Sequence, residues 1–249
     1  MRLVERLASL AESGGRGVLF TVVAGDGLGT KLLVVEGGET AGDGPGDLVE
    51  YADEVQRGGR NRLLELESRT AFAEVYGPPP RLFVYGAVDT AEALCRGAKL
   101  LGWTAIVADA RTAFATEQRI PSADLLIVAW PDEALAQVAP DHQTAFVVLT
   151  HDDKFDEPAL KGALETDAFY IGALGSRRNQ VRRRERLLEA GVDEASVERI
   201  SGPCGLDIGA DTQSETALSI LAEILAVRAG RSGGMLREAK QRIHVEPAG

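Results

Sequence analysis

From residue 81 onward, short continuous apolar runs alternate with longer segments whose apolar residues recur at helical spacing. The runs at 82–85, 104–108, 124–129, 145–150 and 168–172 predict buried strands. Between the first two, Ala91, Leu94, Cys95, Ala98 and Leu101 form one helical stripe that Gly102 ends. Pro131-Asp132-Glu133 and Asp156-Glu157-Pro158 read as helix starts, with proline and acidic residues where a first turn tolerates them. This alternation predicts an α/β fold: a Rossmann-like, doubly wound parallel sheet. In the usual strand order the first and fourth strands flank the switch point. Gly86–Asp89 should then face Thr150-His151-Asp152-Asp153 across one crevice.

The pattern before residue 77 is different. Residues 1–13 have a helical stripe, and 17–24 and 30–36 are β-rich runs joined by a glycine hairpin at 25–29. A glycine-rich stretch follows at 37–46, then a short helix at 47–57 and one or two strands at 63–76. Gly77 and the triple proline Pro78, Pro79 and Pro80 can continue neither element. The expected organisation is a small N-terminal α+β domain (1–76), a Pro-rich linker (77–80), a Rossmann-like C-terminal domain (81–230) and a tail (231–249).

Composition narrows the function classes. Of 249 residues, 45% are hydrophobic and 26% charged, as in soluble globular proteins. No window has the apolar length of a bilayer span, and the first residues lack the order of a signal peptide, so a cytoplasmic protein is expected. Two cysteines, Cys95 and Cys204, exclude a disulfide framework and a Cys-rich zinc site. A net charge of −11 argues against sequence-independent nucleic-acid binding. No metal-ligand or serine-hydrolase motif occurs.

Three places carry candidate chemistry. The first is the turn after the first strand. A full dinucleotide fingerprint would place glycines at 86, 88 and 91, where this chain has Gly86, Val88 and Ala91. Val88 obstructs the approach of a pyrophosphate. Asp89 can cap the helix itself and repel phosphate, which leaves NAD(P) a disfavoured cofactor. Asp109, 23 residues beyond Gly86, stands where such folds place a ribose-binding carboxylate, with Arg111 close by.

The second is Gly172-x-x-Gly175-Ser176-Arg177-Arg178. Here glycines allow close backbone approach, Ser176 can cap, and two guanidinium groups sit at a helix N-terminus. The alternative is an ordinary capped helix, and Arg182–Arg186 reads as a solvated charged face. The third is the loop holding Pro203, Cys204 and Gly205, before a capping box of Thr212 and Glu215. Cys204 reads as a reactive thiol or, more simply, a buried small side chain. His151 reads as a crevice acid–base group or a loop histidine, whereas His142 and His244 lie in polar, surface-like contexts.

These stretches together resemble the XdhC/CoxI family of xanthine dehydrogenase accessory proteins. The resemblance is carried by Leu101-Gly-Trp103 through Asp109-Ala-Arg111, Thr150-His-Asp152, Tyr170 through Arg178, Gly202-Pro-Cys-Gly-Leu-Asp-Ile-Gly-Ala210 and Ser219 through Ile224. It implies a non-enzymatic chaperone that binds molybdenum cofactor (molybdopterin or its dinucleotide) as cargo. Such a chaperone assists its sulfuration and its insertion into a xanthine dehydrogenase or CO dehydrogenase type molybdenum hydroxylase. Expected partners are that apo-enzyme and a cysteine desulfurase, with a homodimer as a candidate assembly. The expected cargo-binding residues are Gly86, Asp109, Arg111, Thr150, His151, Asp152, Gly172, Gly175, Ser176, Arg177, Arg178, Pro203 and Gly205. Two features depart from the family. Its first turn is usually Gly-Ala-Gly-His, and its N-terminal domain usually carries Ser-Gly-Gly-Cys. Here stand Gly86-Ala87-Val88-Asp89 and Gly44-Pro45-Gly46-Asp47. The rival readings are an NAD(P)-dependent oxidoreductase and a regulatory or scaffold member that has lost its ligand.

Overall fold

The computed structural model describes residues 3–239 and divides into two compact units, one of residues up to Pro78 together with those from Gly234 on, the other of Pro79–Gly233. The first unit contains α1 (Leu3–Ser13), β1 (Gly17–Gly25), β2 (Lys31–Val35), β3 (Thr40–Gly42), a 3-10 turn (Gly46–Tyr51), α2 (Ala52–Gly58), β4 (Arg62–Glu65) and β5 (Arg69–Tyr76). Its five strands lie in the order β3-β2-β1-β5-β4, and every pairing is antiparallel. Val18, Phe20 and Val22 alternate along β1 into one core with Leu48 and Val55, as period-2 burial requires. Two expectations change in this unit. The glycine-rich stretch at 37–46 contains the edge strand β3. The helix expected at 47–57 opens as a 3-10 turn that Pro45 precedes.

The second unit holds β6 (Arg81–Tyr85), α3 (Asp89–Leu100), β7 (Thr104–Ala108), β8 (Leu125–Ile127), α4 (Pro131–Val138), β9 (Thr144–Val148), α5 (Asp153–Leu164), β10 (Tyr170–Ala173), α6 (Arg177–Glu189), α7 (Glu194–Glu198), β11 (Ile200–Ser201) and α8 (Gln213–Arg228). The strands run parallel in the order β11-β10-β9-β6-β7-β8. This is the doubly wound order, with its switch point between β6 and β9. Both faces of the sheet are covered. Along β6, Leu82 and Val84 pack under α3 and α8, while Phe83 and Tyr85 pack towards α4 and α5. Gly97 lets α3 and α8 approach closely, since a Cβ there would meet Leu221 Cδ1 at 2.2 Å.

One helix boundary moves. Helix α5 begins at Asp153, capped by Asp152, rather than at Asp156. The cap and the stripe Phe155, Ala159, Leu160 and Ala163 outweigh Pro158. That proline forfeits only one bond, to the carbonyl of the exposed residue Lys154. His142, expected at the surface, is half-buried, and His244 lies outside the described residues. No helix among the described residues is long and apolar enough to cross a membrane.

Candidate functional site at the C-terminal edge of the parallel sheet

Parallel strands deliver their following loops to one edge, so the turns after β6, β7, β9, β10 and β11 gather there. Gly86 leaves β6 at φ +114° and abuts the chain leaving β9. A Cβ on it would lie 3.0 Å from Thr150 Cγ2 and 3.1 Å from Thr150 N. Gly86 and Thr150 are thus neighbours at the switch point.

The turn after β6 is fastened from below. Asp109, 1% exposed, accepts the N–H of Ala87 on Oδ2 at 2.9 Å. Its Oδ1 takes the backbone N–H and Nε of Arg111, both at 2.9 Å, and its Oδ2 takes Arg111 Nη2 at 2.7 Å. Burial would raise the Asp109 pKa. The hydrogen bonds from Arg111 and Ala87 outweigh that, and the carboxyl sits below the usual range. With both oxygens engaged, Asp109 is a structural clamp and has no lone pair left for a ribose hydroxyl. Asp89 does not cap α3. The N-cap is Val88, without a side-chain bond, and Asp89 is a 77% exposed first-turn residue paired with Arg119 at 3.2 Å. The carboxylate stands one residue too late to reach back to the free N–H groups.

The turn after β10 is fastened by charge of the opposite sign. Arg183 of α6 and Asp156 of α5 are 4% and 2% exposed and paired at 2.7 Å through Nη2 and Oδ2. Arg183 Nη2 also donates to the Leu174 carbonyl at 3.1 Å, and Nη1 to Gln180 Oε1 at 2.5 Å. Gln180 Nε2 in turn donates to the Ala173 carbonyl at 3.1 Å, and the hydroxyl of Thr150 donates to Asp156 Oδ1. One buried relay therefore runs from Thr150 at the crevice to the backbone of the β10–α6 turn. Sequence reasoning missed both of its charged members. Asp156 passed as a helix start and Arg183 as part of a solvated arginine row. The signal was present in the spacing, because Gln180, Arg183 and Leu187 share one face, and Leu187 is buried.

Above the relay lies an open helix end. Gly175 has φ +139°, Ser176 is the N-cap and accepts the N–H of Asn179 at 3.2 Å, and Gln180 N bonds Ser176 O. The N–H groups of Arg177 and Arg178 begin α6 without intrahelical partners. Both side chains are exposed and make no ion pair with a described residue. Further along, Arg184 pairs with Glu194, and Arg186 with Asp153 and Glu157.

The other expected residues stand around these two turns. Gly172 makes room for a ring rather than for a ligand, since a Cβ would lie 2.6 Å from Tyr170 Cε1. The buried Tyr170 hydroxyl donates to Glu223 of α8, and burial, Cys204 and Glu223 raise its pKa. Gly205, at φ +111°, donates its N–H to the same Glu223 at 2.8 Å and is pressed against Ser219. Pro203 is exposed. Cys204 is buried, and burial beside Glu223 pushes its thiol up to about 12, the state of an unreactive packing thiol. His151 is exposed, and Asp152 caps α5 through the Lys154 N–H at 3.2 Å.

Known proteins resemble this chain in sequence and in fold. Residues 82–224, from β6 into α8, match the XdhC Rossmann domain. A Bacillus subtilis protein named as a probable xanthine dehydrogenase subunit is 33% identical over 162 residues, covering 65% of this chain and 47% of that protein. The molybdenum cofactor insertion chaperone PaoD of Escherichia coli is 31% identical over 153 residues, covering 61% and 42%. The chain thus spans less than half the length of these curated relatives. A crystal structure of a xanthine dehydrogenase from Bacillus halodurans superimposes with a TM-score of 0.67 at 25% identity, over 90% of this chain and 65% of that one. The family match covers all the loops that meet at the crevice edge, so this chain belongs to the XdhC family.

Proposed function

We propose that the protein is a maturation factor that holds molybdenum cofactor as cargo for a molybdenum hydroxylase. The observation that carries the reading is the start of α6. It offers two backbone N–H groups, two exposed guanidinium groups without acidic partners among the described residues, and a glycine at positive φ. That donor set suits the phosphate of a pterin cofactor or of its dinucleotide. Thr150, His151 and Asp152 line the neighbouring turn, and the relay through Asp156 and Arg183 keeps the two turns in register. Relatives named for xanthine dehydrogenase and for molybdenum cofactor insertion support the same reading.

In this reading the chain makes no bond itself. It binds the cargo, shields it, and passes it to the apo-enzyme, while sulfuration is supplied by a partner such as a cysteine desulfurase. The N-terminal unit has Gly44-Pro45-Gly46-Asp47 where the family usually has a cysteine, so this chain supplies no thiol at that position. The test is direct. The protein is purified from cells that make molybdopterin and its pterin content is measured after oxidation, and the molybdenum hydroxylase activity of a deletion strain is assayed. Bound pterin in about molar amount, together with lost hydroxylase activity, is the expected result. Pterin-free protein and unchanged activity would refute the proposal.

A further inference from the structure

A second cluster on the same edge belongs to neither the relay nor the α6 start. Arg111 is held flat by Asp109, which takes Nε and Nη2. Its guanidinium carbon lies 3.9 Å from the centre of the Phe114 ring and 5.9 Å from that of Phe155. Trp130, after β8, has its ring 5.1 Å from Phe155 and is 50% exposed. The neighbouring cations are already paired, Arg119 with Asp89 and Lys154 with Asp152. Arg111 Nη1 makes no hydrogen bond or ion pair with any described residue, on a side chain that is 36% exposed. The result is a ledge backed by the buried ring of Phe155, on which the half-exposed Trp130 and the Asp109-held guanidinium of Arg111 both pack.

The polarity of this ledge is inverted relative to a ribose-binding site. A free carboxylate at 109 would accept from a sugar diol. Here the acceptor is consumed and a donor is presented in its place, which favours a ligand that brings its own acceptor charge. A fixed guanidinium backed by an aromatic ring loses little entropy on binding phosphate, and an exposed indole stacks on planar heterocycles of many kinds. We infer that the ledge formed by Arg111, Phe114, Phe155 and Trp130 binds a planar heteroaromatic ring carrying a phosphate group. The phosphate meets Arg111 and the ring lies against Trp130. Nucleotides and pterin phosphates share this chemistry. The ledge borders the turn at Asp152, whose partner Lys154 lies over the Phe155 ring, and its phosphate donor is Arg111 rather than the arginines of the α6 start.

The chain has two tryptophans, and Trp103 is buried, so emission changes can be traced to Trp130. Wild-type protein is titrated with AMP, adenosine, and a pterin with and without its phosphate, following tryptophan emission. At least one phosphorylated ligand should quench and bind about tenfold or more tightly than its unphosphorylated partner, and the one that does identifies the source. Trp130→Phe should abolish the signal. Arg111→Gln should remove the phosphate preference, and Arg111→Lys, which keeps the charge but loses the fork, should weaken it. The double variant Arg177→Ala/Arg178→Ala should leave the signal intact, which separates this site from the cargo site. No quenching by any ligand, equal binding with and without phosphate, or a signal lost in the α6 variant but kept in Arg111→Gln would overturn the inference. Where Arg111→Gln fails to fold, Arg111→Lys and the α6 double variant together locate the phosphate.

Discussion

The turns after β6 and β10 are built on the same plan and end with opposite chemistry. Each leaves a parallel strand, passes a glycine at positive φ and starts a helix of the same sheet edge. Under the first lies a buried carboxylate, Asp109, which accepts a backbone N–H. Under the second lies a buried guanidinium, Arg183, which donates to a backbone carbonyl. Each is neutralised by its own partner, Arg111 or Asp156. What faces solvent then decides the use. Asp89 presents a negative charge on α3, whereas Arg177 and Arg178 present two positive ones on α6. A helix start that carries a carboxylate and a β-branched cap repels an anion that the other attracts. The lesson is that the shared turn geometry sets where a ligand could sit, and two or three first-turn residues set whether it does.

The largest expected effect comes from breaking the support of the second turn. Arg183→Met leaves Asp156 buried without its partner and should cost about 3–5 kcal/mol in urea unfolding. Adding Asp156→Leu should recover most of that loss. If the single variant is as stable as wild type, the relay does not hold the turn.

The support of the first turn is tested by acid. Asp109 has a folded-state pKa below its unfolded value, so its contribution is complete above the unfolded carboxylate range near about 4. It is lost as pH falls through the folded pKa. Asp109→Asn should therefore lower stability at neutral pH and flatten the decline in stability between that range and lower pH. An unchanged acid limb would show that the carboxylate is not clamped. Next, Gly172→Ala should cost about 1–3 kcal/mol by driving a methyl into the Tyr170 ring, while binding at α6 persists in the folded fraction. Ser176→Ala should cost about 1 kcal/mol in thermal unfolding. Smallest of all, Asp89→Ala should change stability by about 0.5 kcal/mol or less, because the Arg119–Asp89 pair is exposed.

How much of this was readable beforehand depends on the range of the interaction. The alternation of apolar runs placed the parallel strands and led to the doubly wound order, because strands buried on both faces leave a strong local signal. Gly86 beside Thr150 followed from topology alone. The supports were hidden because their partners are far apart in sequence. Asp156 meets Arg183 across 27 residues, and nothing local distinguishes Arg183 from Arg182 or Arg184 except its helical phase with Gln180 and Leu187. Asp109 was visible as an acidic residue at the crevice, but its saturation by Arg111 needed coordinates. Gly172 was read as room for a ligand. The ring it accommodates belongs to Tyr170, two residues back on the same face of β10. Asp89 had the composition of a cap and stood one position too late to act as one.

The claim on which the account rests is that, of the two helix starts, that of α6 and not that of α3 binds the cargo's phosphate. Equilibrium titration of molybdopterin against wild-type protein, Arg177→Ala/Arg178→Ala and Asp89→Ala tests it most directly. The account predicts an affinity loss of about tenfold or more in the arginine variant and none in Asp89→Ala. Equal affinity in wild type and the arginine variant, or a loss confined to the α3 turn, would contradict it.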